Sequence, residues 1–122
     1  MTDQKTQPKY FDSGAFLHRS DAVVYNGVAY VSGVKSSNKN GSVTEQASEI
    51  LAEIDRRLAD IGTDKTRLLS ATIWMHDVIR DVNELNLVWN KWLAPDRRPA
   101  RSCVQSALQG NSLVEIAVIV AA

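Results

Sequence analysis

One cysteine and two histidines are all the thiol and imidazole that this 122-residue chain contains. A lone thiol cannot close an internal disulfide, and His18 and His76 lack ligand spacing, so no metal centre is expected. Charge of one sign is lacking as well, because 14 Lys plus Arg balance 14 Asp plus Glu. With no net field and no basic run beyond Arg97-Arg98, neither nucleic acid nor an acidic membrane surface is an expected partner. No apolar run approaches the length that spans a bilayer, and residues 1–8 are too polar for the core of a signal peptide. The expected compartment is therefore the reducing cytoplasm. The chain also lacks a phosphate loop, a dinucleotide fingerprint, a nucleophile elbow and internal repeats.

What is present suits one soluble α+β domain, with 44% apolar and 23% charged residues. Residues 1–15 are polar, contain Pro8 and Gly14, and read as a flexible arm or an edge segment, leaving 16–122 as the single domain. Asn26-Gly27 between two β-rich runs predicts a hairpin over 22–32, since both residues tolerate the positive φ of a type I′ turn. Residues 33–41 read as a polar loop. Ser42 with Glu45 forms a capping-box pattern, and Ala47, Ile50, Leu51, Ile54, Leu58 and Ile61 recur at helical spacing until Gly62. A strand over 68–76, a helix over 81–93 and strands over 100–107 and 113–121 complete a ββ-α-β-α-ββ order.

That order predicts a mixed sheet with both helices on one face. The last strand is apolar on both sides, with Val114, Ile116, Val118 and Val120 opposed by Ala117, Ile119 and Ala121 beside Glu115. Two helices cover one side only. Burying the other calls for a second copy of the chain, so an oligomer with inward-facing sheets is expected.

Three side chains stand out chemically. Arg101 is permanently charged and forks onto a carboxylate; it is either a substrate clamp or half of a structural salt bridge, with Glu115 as the candidate partner across neighbouring strands. Glu115, set in an apolar strand, must be paired, hydrogen-bonded or neutral, and beside a bound water it becomes a general base or a water-orienting group. Cys103 shares a strand face with Arg101, but with no histidine beside it in sequence it reads as packing rather than as a nucleophile.

The segment Pro99-Ala100-Arg101-Ser102-Cys103-Val104, taken with Val114-Glu115-Ile116, resembles the Rid family of enamine/imine deaminases, the YjgF-like proteins. Val31-Ser32-Gly33, Leu85-Asn86, Trp89 and Trp92 fit the same family, and the likeness runs from about Arg19 to Ala121. The resemblance implies a YjgF/chorismate-mutase-like fold and a homotrimer with clefts between subunits. It also implies cofactor-free hydrolysis of 2-imino acids, or of enamine tautomers such as 2-aminoacrylate, to 2-oxo acids and ammonia. By the same likeness Arg101 holds the substrate carboxylate, Glu115 assists the attacking water, and Ser32, Gly33, Asn86 and Cys103 line the pocket. The chain departs from the best-known members in having Arg19 where they carry a tyrosine. That arginine either favours a substrate with a second carboxylate, pairs with Asp21, or points to solvent. A non-catalytic oligomer that binds or senses 2-oxo acids is the alternative function.

Overall fold

The structure is a computed structural model, and it describes residues 7–122. Six strands form one mixed sheet: β1 (Lys9–Phe11), β2 (Ala22–Tyr25), β3 (Val28–Lys35), β4 (Leu68–Met75), β5 (Ala100–Gln105) and β6 (Val114–Ala121). Two helices, α1 (Val43–Ile61) and α2 (Val78–Trp92), pack on one of its faces. The spatial order is β1-β2-β3-β6-β4-β5. Only β4 and β5 run parallel, as the helical crossover through α2 requires.

Local chemistry explains most boundaries. Asn26 and Gly27 take φ values of 50° and 77°, which completes the type I′ hairpin between β2 and β3. The Ser42 hydroxyl accepts from the Glu45 amide while the Glu45 carboxylate accepts from the Ser42 amide, a full capping box at the start of α1. Gly62 closes the helix at φ 96°. The apolar stripe of α1 is buried at Ala47, Ile50, Leu51, Ile54 and Leu58, and Ile61 packs at its edge. Gln46 interrupts that stripe as a buried polar residue. Its amide donates to the Asn38 carbonyl and accepts from the Leu113 amide, which ties the loop after β3 and the turn before β6 to the helix.

Three elements differ from the sequence expectation. Residues 9–11 are an edge strand paired with β2, so the edge-segment alternative holds there; residues 1–6 of the expected arm lie outside the described residues. The β3 strand continues through Gly33 to Lys35 instead of ending in a loop, because β6 offers it partners as far as Glu115. The second helix begins at Val78, one turn before 81, because Asp77 caps it by accepting from the Arg80 amide.

The β3–β6 ladder contains a bulge. Val31 pairs with Val118 and Val34 with Ile116, so β3 spends one extra residue at Ser32-Gly33. The bulge lets Val31 and Val34, three positions apart, both face the helices, where they are buried at 4% and 2% exposure. The opposite face of the sheet has no covering layer within the chain. Tyr10, Tyr30 and Val104 are exposed there, beside partly exposed Val23, Trp74, Ala117 and Ile119.

Candidate active site

Arg101 and Glu115 are on different sides of this sheet. Arg101 pairs in register with Ala71, which in turn pairs with Val118; Glu115 pairs with Trp74 and with Lys35. Glu115 and Val118 are an odd number of residues apart, so their side chains point to opposite faces. The sequence expectation that two neighbouring strands bring the arginine and the glutamate together is therefore wrong for a single chain. The reason is topological. The β4–α2–β5 crossover places β5 outside β4, and β6 inserts between β3 and β4. Two strand spacings of about 4.8 Å and three residues of about 3.3 Å separate the two backbones.

On the helix side, the Arg101 guanidinium lies 5.7 Å from the Trp89 ring centroid, over its face. Among the described residues no carboxylate comes within 4.0 Å of it, so the structural salt bridge with Glu115 does not form. Cys103 sits next along the same face, half-buried against the core. Burial pushes its thiol above the ordinary value, and the opposing pull of the Arg101 charge is too weak to reverse this. A protonated thiol is packing, not a nucleophile. Asn86 lies on α2, one turn before Trp89, and its Oδ1 is buried without a hydrogen-bond partner among the described residues. Such an orphaned acceptor invites a donor from outside the chain.

On the open side, Glu115 lies against the bulge. A Cβ placed on Gly33 would stand 2.2 Å from Glu115 Oε2, so this position admits only glycine if the carboxylate is to stay where it is. Ser32, the other bulge residue, donates its hydroxyl to the Ser20 carbonyl at 2.6 Å and anchors the segment that carries Arg19. Glu115, Gly33, Arg19, His18, Lys35 and Trp74 together border a cavity of about 460 Å³, which the 106–109 loop closes from one side. Lys35 Nζ donates to Gln109 Oε1 of that loop at 3.2 Å. Arg19 donates through Nη1 to Asp21 Oδ1 at 2.9 Å and stacks on Phe16, 4.5 Å from its centroid. Burial raises the Asp21 carboxyl, but hydrogen bonds from Ser13 and Arg19 and the charge of Arg57 outweigh it and leave Asp21 below its usual value.

The expected site residues thus fall into two groups on opposite sides of the sheet. Glu115, Gly33 and Arg19 meet around the open-face cavity with Ser32 buttressing it; Arg101 and Cys103 lie on the helix face, and Asn86 sits on the helix that covers it. Sequence reasoning missed Lys35, Trp74 and the 106–109 loop. Lys35 was hidden by the loop reading of 33–41, and Trp74 by its place on a strand read only for packing.

This architecture defines a YjgF-like α+β domain in which Arg101 and Glu115 lie on opposite faces of the sheet. The Endoribonuclease L-PSP family profile matches residues 14–122. A RutC family protein from Haemophilus ducreyi is 35% identical over 103 residues, covering 84% of this chain and 87% of that one. The RutC family protein YoaB of Escherichia coli is 34% identical over 103 residues, with 84% and 89% coverage. Among solved structures, a YjgF family member from Neisseria meningitidis superposes with a TM-score of 0.89 at 38% identity, over 96% of each chain. The Rid family protein YyfA from Yersinia pestis does so at 0.87 and 27% identity, over 95% of this chain and all of its own. The chain belongs to the Endoribonuclease L-PSP family of YjgF, Rid and RutC proteins.

Proposed function

We propose that this protein hydrolyses 2-imino acids to 2-oxo acids and ammonia, in sites completed between copies of the chain in a homotrimer. The observation that supports this most is the separation of Arg101 from Glu115 onto opposite faces, each without an ion-pair partner among the described residues. A carboxylate clamp and a water-handling carboxylate that cannot meet within one chain meet when the β5 side of one copy approaches the open face of the next. The apolar open face supplies a reason for that approach.

The chemistry asks little of the protein. The carbon of a protonated imine is electrophilic, so neither a covalent nucleophile nor a metal has to activate it. Arg101 receives the substrate carboxylate in a bidentate pair. Glu115 orients a water and takes its proton as the water oxygen bonds to the imine carbon. The proton passes to the nitrogen, the C–N bond breaks with its electron pair going to nitrogen, and the hydroxyl loses its proton to leave the C=O group. Iminium zwitterion plus water becomes 2-oxo acid anion plus ammonium. Gly33 keeps the carboxylate seated, while Asn86 and Cys103 shape the wall behind the clamp. No cofactor enters this scheme. A small anionic substrate also suits the charge balance better than RNA does, because 14 basic against 14 acidic residues leave no net charge to hold a polyanion.

Mixing two inactive variants tests the proposal. Arg101→Ala and Glu115→Gln should each abolish the enzyme-dependent release of ammonia from freshly generated imino acids. Co-expressed at equal amounts, they should recover about a quarter of wild-type activity, since a shared site then receives both intact residues with probability one half times one half. Retained activity in Arg101→Ala sinks the mechanism, and absence of complementation sinks the shared site. Thermal stabilisation by 2-oxo acids without any rate enhancement would instead assign a binding or sensing role.

A further inference from the structure

The cavity around Glu115 carries more positive charge than hydrolysis of a simple imino acid needs. Arg19 and Lys35 both border it, with His18 beside them, against the single carboxylate of Glu115. Asp21 offsets Arg19 only in part. It engages Nη1 alone, and it is shared with Arg57, whose Nη2 lies 3.9 Å away. A guanidinium has five donors, so the remaining N–H groups of Arg19 stay available. Its plane is meanwhile held by Phe16 on one side. Lys35 spends one of its three donors on Gln109. In a chain whose charges balance overall, this is a local cationic excess facing a catalytic carboxylate across a cavity of about 460 Å³. That volume falls within the ~300–1,000 Å³ typical of small-molecule sites.

We propose that the site prefers imines bearing a second carboxylate, the 2-imino diacids derived from acidic amino acids, with Arg19 and Lys35 receiving the distal carboxylate. This rests on the hydrolytic reading above, in which Arg101 holds the first carboxylate. With that role assigned, the cations at the Glu115 end have no partner in a monocarboxylic substrate. The diacid places one anionic group at each end and the reacting carbon between them. Glu115 faces the imine carbon without being neutralised by the two cations, because the distal carboxylate engages them.

Imines of glutamate and of leucine, generated in situ by amino-acid oxidases, separate the outcomes. The readout is the ratio of kcat/KM for the two imines, measured as 2-oxo acid formation above the uncatalysed rate. Wild type should favour the glutamate imine by about tenfold or more, the range of one lost charge-assisted pair. Arg19→Gln should collapse that ratio, mainly through KM for the diacid, and Arg19→Lys should restore part of it. A wild-type preference for the leucine imine, or an unchanged ratio in Arg19→Gln, overturns the inference. Should Arg19→Gln fail to fold, Lys35→Gln is measured for the same ratio. If neither imine is accelerated, the hydrolytic reading falls on its own. Calorimetry with 2-oxoglutarate and 2-oxo-4-methylpentanoate then decides the ligand class: an Arg19-dependent preference for the diacid upholds it, and equal or absent binding refutes it.

Discussion

Ile116 and Ile119 belong to the same apolar run of β6, three residues apart. Ile116 is fully buried under the helices, whereas Ile119 lies partly exposed on the uncovered face between Tyr30 and Ser70. Both faces of the strand are apolar, yet only one has its covering layer inside the chain. The covered face builds the core, and the uncovered face carries the Glu115 cavity. An apolar surface of that kind next to the Glu115 carboxylate is what the proposed site between copies requires.

Substitutions on the two faces should therefore fail in different ways. The largest effect is expected from Ile119→Lys, which should leave the chain folded by circular dichroism but abolish its self-association in sedimentation velocity. An assembly of unchanged size would show that copies do not meet through this face. Ile116→Ala attacks the covered face, where a cavity replaces a fully buried side chain. It should lower unfolding free energy by about 2–5 kcal/mol, read from the denaturant midpoint. Gly33→Ala works at the open face, and what must move is the end of a flexible side chain rather than backbone. Melting temperature should hardly change, while kcat falls by roughly 10–100-fold as the displaced Glu115 carboxylate loses its water.

The smallest effect concerns Asp21, at the junction of the hairpin with Arg19 and Arg57. Its carboxyl is held below the ordinary value of about 3.9, so its contribution to stability is full above that pH and is lost as pH falls through the lowered value. Asp21→Asn should lower stability slightly at neutral pH, where that contribution is full, and flatten the acid limb of a stability-versus-pH curve below about pH 4, where the wild type loses it. A steeper acid limb in the variant would contradict the pairing.

Much of the fold was legible because its signals are local. The turn at Asn26-Gly27, the box at Ser42 and Glu45, the cap at Gly62 and the β-branched apolar run of β6 each lie within a few residues and have one low-energy solution. The bulge at Ser32-Gly33 was not legible. Alternation along β3 breaks there, and the β6 partner against which the register shifts lies far along the chain, as does the Glu115 carboxylate that requires glycine at 33. The start of α2 at Val78 rather than 81 has a nearer cause, the Asp77 carboxylate accepting from the Arg80 amide three residues on.

For the site, residue types were readable and their assembly was not. The sequence by itself determined that a cation on one strand and a carboxylate on the last strand are the chemically unusual groups. It also determined that the sheet is too apolar on both faces for one chain to cover, because side-chain parity along a strand is a local property. Only the tertiary structure decided that β6 enters between β3 and β4 while β5 goes to the edge, since strand order depends on which long-range pairings bury the most surface. That choice sends Arg101 and Glu115 to opposite faces, and it gathers Arg19 and Lys35 around the glutamate from distant parts of the chain.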